Sequence, residues 1–349
     1  LLFGEDSPAA VWGAWQVLSD GLYFEGDAQA VNRRSAEAVA EERAARESKR
    51  RAEAEWESFR QRVEQASLDE SDRKRLAEVE RVALGTAEHS RILSSFGVAE
   101  SSESAHRFLL RCGYWDAWFN PWPLRAGASL DAVEIGVPDL PDESRRDLTG
   151  LASWAIDDAG NQDPDDAISL DGDRLWVHVA DVAALVTPNG HLDQAARERG
   201  ANLYLPEMIV GMLPGEVTER LGLGLAEQSP ALSFGFRFDG DRVCDIEITP
   251  SWVRVSRATY DEIDQRMNEP PFAAISAITD AYRARRVARD AARIDLPEVS
   301  VRLVDGEVVI RPLPKLASRD MVTDAMLMAG EAAGRFAAEH GICIPYAMQ

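Results

Sequence analysis

The chain has 349 residues, 45% of them hydrophobic, and a formal net charge of −22 at pH 7. This length and apolar content exclude a disordered polymer and allow two or three domains with a sizeable core. The net charge argues against binding nucleic acid through a broad basic face, but it is compatible with a narrow channel supplied with metal ions and a few arginines.

The cysteine content favours a reducing compartment. Cys112, Cys244 and Cys343 lie far apart and lack the paired spacing of a zinc site or a disulfide framework. No apolar run is long enough to cross a bilayer, so we expect a cytoplasmic protein without a membrane partner. The first residue is Leu1 rather than Met, which suggests a fragment of a longer protein.

Residues 1–66 predict helices. Ser7-Pro8 is typical of an N-cap followed by a first helical turn, and Gly21 is expected to end that helix. From Ser35 to Gln65 the chain is rich in Ala, Glu and Arg, with apolar residues at helical spacing, which predicts one long charged helix. This helix is either a nucleic-acid-binding arm or, as we favour, a solvated helix that packs on its neighbours.

Residues 67–125 predict a helix-turn-helix-like domain. Ser67-Leu68-Asp69-Glu70 is similar to a capping box, and helices are expected to follow as far as Leu84, over 87–96 and over 103–112. Such a unit either binds nucleic acid or packs on a partner domain, and this one is not markedly basic.

An aromatic run and a proline-rich segment follow these helices. Tyr114–Trp122 is interpreted as an interdomain packing cluster, with a base-stacking platform as the alternative. Residues 126–147 contain repeated prolines and are expected to form a linker.

From residue 148 to residue 349 the pattern changes to apolar runs separated by turn signals. Hairpins are expected at three Asp-Gly pairs: Asp171-Gly172, Asp239-Gly240 and Asp305-Gly306. Helices are expected over 192–199, 260–267, 278–291 and 319–339. The predicted fold class is therefore α+β, with a helical N-terminal region that contains a helix-turn-helix-like unit, followed by a mixed, mainly antiparallel α/β domain.

The stretch WAIDDAGNQDPDDAISL, from Trp154 to Leu170, is strongly acidic. Its five aspartates are Asp157, Asp158, Asp163, Asp165 and Asp166. Apolar residues on each side predict a loop between two strands, and Pro164 makes that loop stiff. Crowded carboxylates resist ionisation unless hydrogen bonds or cations neutralise them, and Mg²⁺, Mn²⁺ or Ca²⁺ suits such oxygen donors. Taken alone, the loop is either a solvated turn or a metal site.

The loop and the segments after it resemble the ribonuclease II/R (RNB) family of 3′-to-5′ exoribonucleases. The family signature is an apolar residue, Asp, five variable residues, Asp, any residue and Asp-Asp-Ala. Ile156-Asp157 and Asp163-Pro164-Asp165-Asp166-Ala167 match it. The match continues in order through Val177–Val182, Leu192-Asp193 with Arg199, Asn202–Pro206 and Met212–Pro214. The helical N-terminal region is similar to the branch that carries a helix-turn-helix unit instead of cold-shock barrels.

The resemblance implies processive hydrolysis of single-stranded RNA from its 3′ end to nucleoside 5′-monophosphates. Asp157, Asp163 and Asp166 fall on the family's metal-binding positions. Asp165 falls on the position with a more direct catalytic role, and all four are expected to be catalytic residues. One or two Mg²⁺, or Mn²⁺, would be the cofactor.

The same resemblance implies RNA contacts. Tyr204 matches the aromatic that stacks on the terminal base, Tyr260 resembles a second RNA-contacting tyrosine, and Arg199 is expected to contact RNA. Either tyrosine could equally be a core residue. Asp158 lies where the family varies and is expected to be solvated. His178, set between valines, is expected to be a buried structural histidine.

The resemblance covers only the first part of the family's catalytic domain. It implies that the protein continues past Gln349 into the rest of that domain and an RNA-binding β-barrel, and that it acts as a monomer on single-stranded RNA. The alternative is that the chain truly ends at Gln349 and is an inactive RNA- or metal-binding remnant.

Overall fold

The computed structural model describes residues 7–27, 29–292 and 296–346. The chain divides into two compact units, Leu1–Ala128 and Ser129–Gln349. Among the described residues, none of the helices has the length and apolarity needed to span a membrane. The two chain ends, on which the fragment hypothesis and the remnant alternative rest, lie outside the described residues. The finer predicted division at residues 66, 125 and 147 stays a prediction.

The first unit is helical. Its elements in chain order are α1 (Pro8–Ser19), β1 (Phe24–Gly26), β2 (Val31–Arg33), α2 (Ala36–Glu64), α3 (Glu70–Ala83), α4 (Arg91–Ser95), α5 (Ser102–Arg111) and α6 (Trp122–Arg125). The predicted cap of α1 is confirmed, because Ser7 accepts a hydrogen bond from Ala10 N, and Ser35 caps α2 in the same way by accepting one from Ala38 N. The long charged helix is therefore continuous over its predicted length.

The start of α3 corrects the predicted capping box. Asp69, not Ser67, is the N-cap: its carboxylate accepts from Asp72 N at 2.9 Å, and the Asp72 carboxylate accepts from Asp69 N at 3.1 Å. Arg62 of α2 donates to both oxygens of Asp72 and lowers the pKa of that carboxyl. This ion pair favours the pair of aspartates over the predicted Ser67–Glu70 pair.

Apolar side chains of α2, α3 and α5 form the core of this unit. Phe59, Leu76 and Phe108 are almost completely buried. From the aromatic run, Trp115 packs within the core of this first unit, and the predicted interdomain role stays a prediction. The helix predicted over 87–96 begins only at Arg91, because Ser90 caps it through a bond from Leu93 N.

A seven-stranded mixed sheet forms the centre of the second unit. The strands of this unit are β3 (Arg146–Asp147), β4 (Ser153–Asp157), β5 (Asp166–Asp171), β6 (Arg174–Ala180), β7 (Leu203–Tyr204), β8 (Ile209–Val210), β9 (Ser229–Phe238), β10 (Val243–Val253), β11 (Val255–Thr259), β12 (Val299–Val304) and β13 (Glu307–Pro312). The sheet order is β11-β4-β5-β6-β9-β10-β3, while β7–β8 and β12–β13 are separate hairpins. Only the edge pairs β11–β4 and β10–β3 are parallel within this sheet, which confirms the predicted mixed, mainly antiparallel fold.

All three Asp-Gly pairs lie at the predicted hairpins, which join β5 to β6, β9 to β10 and β12 to β13. Asp305 and Gly306 have φ angles of 51° and 77°, as a two-residue type I′ turn requires. A glycine is favoured at the second position because it has no Cβ to oppose this left-handed backbone.

The helices of the second unit pack on and around the sheet. They are α7 (His191–Arg199), α8 (Gly215–Leu221), α9 (Tyr260–Asp264), α10 (Phe272–Ala288) and α11 (Ala317–His340). α7 and α11 lie within two residues of their predicted bounds, α9 ends earlier, and α8 was not predicted. α10 begins at Phe272 rather than at residue 278, since Phe272 and Ile275 are fully buried and extend its core-facing side.

One apolar cluster joins the sheet to α10 and α11. Ile168 and Phe236 of the sheet pack in it with Phe272 and Met328 of the helices. Truncating one such buried aromatic side chain to alanine typically costs about 3–5 kcal/mol. This core fixes the strands whose ends carry the acidic loop.

Candidate active site

The acidic loop joins the ends of two neighbouring strands. Asp157 is the last residue of β4, where it is aligned with Thr259 of β11, and Asp166 is the first residue of β5. The sheet therefore fixes the two ends of the loop and brings the predicted metal-binding positions 157 and 166 to one side of the unit.

Backbone hydrogen bonds hold the middle of the loop. The Pro164 carbonyl accepts from Leu223 N at 2.9 Å, and the Asp165 carbonyl accepts from Ala180 N at 2.8 Å. Pro164 is itself buried. These bonds tie the centre of the loop to two segments that are distant along the chain, which supports the predicted stiffness.

Three of the four predicted catalytic carboxyls have a raised pKa. Burial raises the pKa of Asp166 to about 7, and repulsion from Asp165 and Asp157 contributes to the shift. Desolvation also raises the pKa of Asp157 and that of Asp165, and neighbouring carboxylates add to both effects. These carboxyls lie within electrostatic reach of one another, and each resists ionisation when no cation is nearby.

Asp163, the fourth of these residues, accepts hydrogen bonds from two side chains. Its Oδ2 accepts from the Tyr204 hydroxyl at 2.6 Å and from the Asn202 amide at 3.4 Å. Tyr204 belongs to β7 and is 64% exposed, so the core alternative is wrong for this tyrosine. Asn202 was not among the predicted site residues, although it lies in a quoted family segment.

Tyr260 lies next to the loop but is half-buried. Its ring packs at the edge of the main core, and burial together with the nearby Asp166 carboxylate raises its pKa to about 12. The Arg319 guanidinium lies 4.1 Å from the ring centroid. Both the predicted RNA contact and the core alternative stay open for this residue.

Asp158 corrects one expectation. It is exposed, as predicted, but it is not simply solvated, because it forms an ion pair with Arg319 at the start of α11, with 3.4 Å between Oδ2 and Nη1. The pairing was missed because no local pattern links the two residues. The bond ties the variable part of the loop to the helix that packs under it.

Two further predicted residues have defined partners. Arg199 donates to the Gly211 carbonyl at 3.2 Å and to the Asp131 carbonyl at 2.6 Å, and its RNA contact stays a prediction. His178 is fully buried, with Nε2 2.8 Å from Ser169 Oγ and Nδ1 2.7 Å from Ser233 Oγ. Burial lowers its pKa to about 3. The expected structural histidine is confirmed.

A cavity of about 720 Å³ opens beside the loop. Asp163, Asp165, Asn202 and Tyr204 line its polar part, and apolar side chains such as Met208 line the remainder. Carboxylates and an exposed aromatic ring thus face the same space. This combination suits a ligand that has both a charged group and a flat ring.

The donor chemistry of the loop fits a hard divalent cation. Within the described ranges, no three His, Cys, Asp or Glu side chains already stand in a metal-binding group. The loop nevertheless supplies several carboxylate oxygens, and their raised pKa values show that these groups resist ionisation unless a cation neutralises their charge. Residues 157, 163 and 166 are those that could hold it.

Two family models match the chain. Residues 145–349 match a model described as an RNB domain, and residues 39–121 match one described as a double HTH domain. The first match covers more than half of the chain and includes the whole acidic loop.

Several proteins have similar sequences. The chain is 32% identical to an uncharacterized ribonuclease of Synechocystis over 99% of this chain and 57% of that protein. It is 31% identical to ribonuclease R of Chlamydia muridarum over 58% of this chain and 32% of that protein. The chain therefore spans about one third to three fifths of the length of these relatives.

Two solved structures share the fold. RNase R of Mycoplasma genitalium, in complex with ribose methylated single-stranded RNA, aligns with a TM-score of 0.53 and 24% identity over 58% of this chain and 35% of that chain. An active-site mutant of the Dss1 exoribonuclease of Candida glabrata aligns with a TM-score of 0.64 and 18% identity over 83% of this chain and 46% of that chain. At these identities the likeness concerns the fold alone.

Proposed function

Because the chain belongs to the RNB family of exoribonucleases, with an N-terminal double helix-turn-helix domain, we propose that the protein hydrolyses single-stranded RNA from its 3′ end. The reaction is metal-dependent and processive, and it releases nucleoside 5′-monophosphates. The observation that carries the proposal is the acidic loop, in which the crowded carboxylates of Asp157, Asp165 and Asp166 have raised pKa values.

Three of the carboxylates are assigned to metal binding and the fourth to proton transfer. Asp157, Asp163 and Asp166 would hold Mg²⁺, or Mn²⁺, because these ions prefer oxygen ligands. The bound metal would supply positive charge that makes water a better nucleophile and stabilises the leaving 3′ oxygen. Asp165 borders the cavity with a raised pKa, and we assign its carboxylate the role of accepting the proton of the attacking water.

Two tyrosines and one arginine are the proposed RNA-binding residues. The exposed Tyr204 ring stacks on the terminal base at the cavity, and Tyr260 and Arg199 contact the RNA behind it. Stacking suits an enzyme with little sequence preference, since every base offers a π face. The cavity volume of about 720 Å³ supports this assignment because it accommodates a nucleotide beside the carboxylates.

We further propose that the protein works in the cytoplasm as a monomer. The support for the cytoplasmic location is the spacing of Cys112, Cys244 and Cys343, which suits a reducing compartment. Single-stranded RNA is the partner that an exposed stacking residue beside a cavity accommodates most directly, because its bases are free to unstack.

The substitution Asp165→Asn tests the proposal in the full-length protein. It removes charge at the reacting centre with little change of shape, so we expect hydrolysis to slow about a hundredfold or more while RNA binding stays nearly intact. A gel assay on a labelled oligonucleotide measures the rate, and a binding assay on the same oligonucleotide measures affinity.

Asp171→Asn is the matched control. Asp171 is an exposed aspartate at the far end of β5, the strand that begins directly after Asp165. The Asp171→Asn variant should hydrolyse RNA at the normal rate. Near-normal hydrolysis by the Asp165 variant would overturn its assignment. Wild-type protein that binds RNA without cleaving it would overturn the proposed hydrolytic activity.

A further inference from the structure

Asp163 receives its hydrogen bonds on one oxygen only. The Tyr204 hydroxyl and the Asn202 amide both donate to Oδ2, at 2.6 Å and 3.4 Å. Within the described part of the chain, Oδ1 accepts no hydrogen bond from a protein group. The carboxylate is thus oriented through one oxygen while the other is left available to a ligand.

The Asn202 amide has a fixed orientation. Its Oδ1 accepts a hydrogen bond from Met212 N at 2.7 Å. A backbone N–H can only donate, so the carbonyl oxygen of the side chain must face Met212 and the NH₂ group must face Asp163. Asn202 can therefore act only as a donor to the carboxylate in this position.

The backbone of Tyr204 is fixed in the short hairpin formed by β7 and β8. Leu203 pairs with Val210 and Tyr204 with Ile209, and Leu205 N donates to the Met208 carbonyl at 2.9 Å. The Tyr204 ring is mostly exposed, so its burial contributes little to folding stability. A role for this residue in the site explains the exposed ring and the engaged hydroxyl better than a role in the core.

We propose that the Tyr204 hydroxyl and the Asn202 amide orient the Asp163 carboxylate for the metal, so that Tyr204 joins the metal site to the base-stacking site. The inference rests on the proposed function. Both are positioning residues toward the metal, since they act through Asp163. Hydrogen bonds from outer groups commonly orient metal-binding carboxylates, and their loss typically weakens metal affinity about 10–100-fold.

Two substitutions separate the two roles of Tyr204. Tyr204→Phe removes the hydroxyl and keeps the ring, whereas Tyr204→Ala removes both. We expect both variants of the 349-residue chain to bind Mn²⁺ about 10–100-fold more weakly than the wild type in calorimetric titrations without RNA. Asn202→Ala should weaken Mn²⁺ binding in the same direction.

The end products of the full-length enzyme provide the second measurement. At saturating Mn²⁺, the Phe variant should give the wild-type ladder of end products, because its ring still stacks on the terminal base. The Ala variant should stop at longer oligomers even at saturating Mn²⁺, since it lacks the ring that stacks on the terminal base.

Tyr346→Phe is the matched control. Tyr346 is also exposed, and its hydroxyl donates to the Gly334 carbonyl at 3.4 Å, outside the site. Its substitution should leave Mn²⁺ affinity unchanged.

Two results would contradict these expectations in different ways. Wild-type affinity for Mn²⁺ in Tyr204→Phe would overturn the inference and leave the proposed metal site standing. A wild-type chain that binds no Mn²⁺ would overturn the proposed metal site and the inference with it.

Discussion

Two polar clusters of the second unit differ in how their polar groups are satisfied. In the interior of the sheet, His178 bonds with Ser169 and Ser233, and Ser233 bonds with Ser251 at 2.5 Å. At the start of β5, burial and the neighbouring Asp165 and Asp157 carboxylates raise the pKa of Asp166 instead of stabilising its charge.

The difference separates a structural role from a functional one. A buried network whose members all have partners stabilises the fold and specifies its geometry. Crowded carboxylates cost stability until a ligand neutralises them, and proteins keep such groups where they serve a function. The clusters also differ in exposure, since His178 and its serine partners are fully buried whereas Asp166 is partly buried. The energetic difference comes from the presence of partners in one cluster and of like charges in the other.

The largest expected effect comes from the satisfied cluster. His178→Ala would leave the Ser169 and Ser233 hydroxyls without their partner and would open a cavity, so we expect a loss of about 3–5 kcal/mol in the unfolding free energy of the second unit. Unfolding in urea, monitored by hydrogen-exchange labelling of β5–β6 peptides, measures this loss of unfolding free energy. A loss below about 1 kcal/mol would remove the structural role of this cluster.

The acidic cluster should respond in the opposite direction. Without metal at pH 8, Asp166→Asn should raise the unfolding free energy of the second unit by about 1–2 kcal/mol, because it removes a charge that is both desolvated and repelled. The same labelling measurement in the presence of a chelator checks it. The exposed Asp171→Asn should change nothing, and a destabilised Asp166 variant would break the comparison.

The smallest effect is expected for the same variant at pH 4. The pKa of Asp166 rises from its ordinary 3.8 to about 7 on folding, so the folded state binds the extra proton and stability falls as pH rises from about 4 to 7. At pH 4 the carboxyl is already neutral in the folded protein, and the gain from Asp166→Asn should shrink to near zero. A gain that is equal at pH 4 and pH 8 would contradict the assigned pKa.

His178 provides the opposite pH dependence. Its pKa falls from 6.5 to about 3 on folding, so the unfolded state binds the extra proton and stability falls as pH drops from about 6.5 to 3. The Asp166→Asn chain should therefore show the His178 dependence more clearly than the wild type, since one of the opposing contributions is removed.

Local signals in the sequence predicted much of the fold. Ser7 caps its helix as expected, and Asp305-Gly306 forms its turn, because each depends on hydrogen bonds or backbone angles within a few residues. The predicted helix over 278–291 missed the start of α10 at Phe272. In the structure Pro271 directly precedes the first helical residue, where the missing N–H costs nothing.

The candidate site was predicted less completely, because its contacts join distant parts of the chain. The aspartates and Tyr204 were found through the family resemblance and their order in the sequence. The bonds from Tyr204 to Asp163 and from Arg319 to Asp158 were not, since they span 41 and 161 positions. Periodicity and spacing carry no information about such partners, which depend on how the sheet and α11 are assembled.

The parallel pairing of β4 with β11 has a consequence for the order in which the protein is made. Asp157 aligns with Thr259, about a hundred residues later in the chain. Ribosomes add about 5–20 residues per second, so about 5–20 s separate the synthesis of these two residues. A nascent chain therefore carries its aspartates well before it carries the strand that flanks the first of them, and the completed site is a late product of translation.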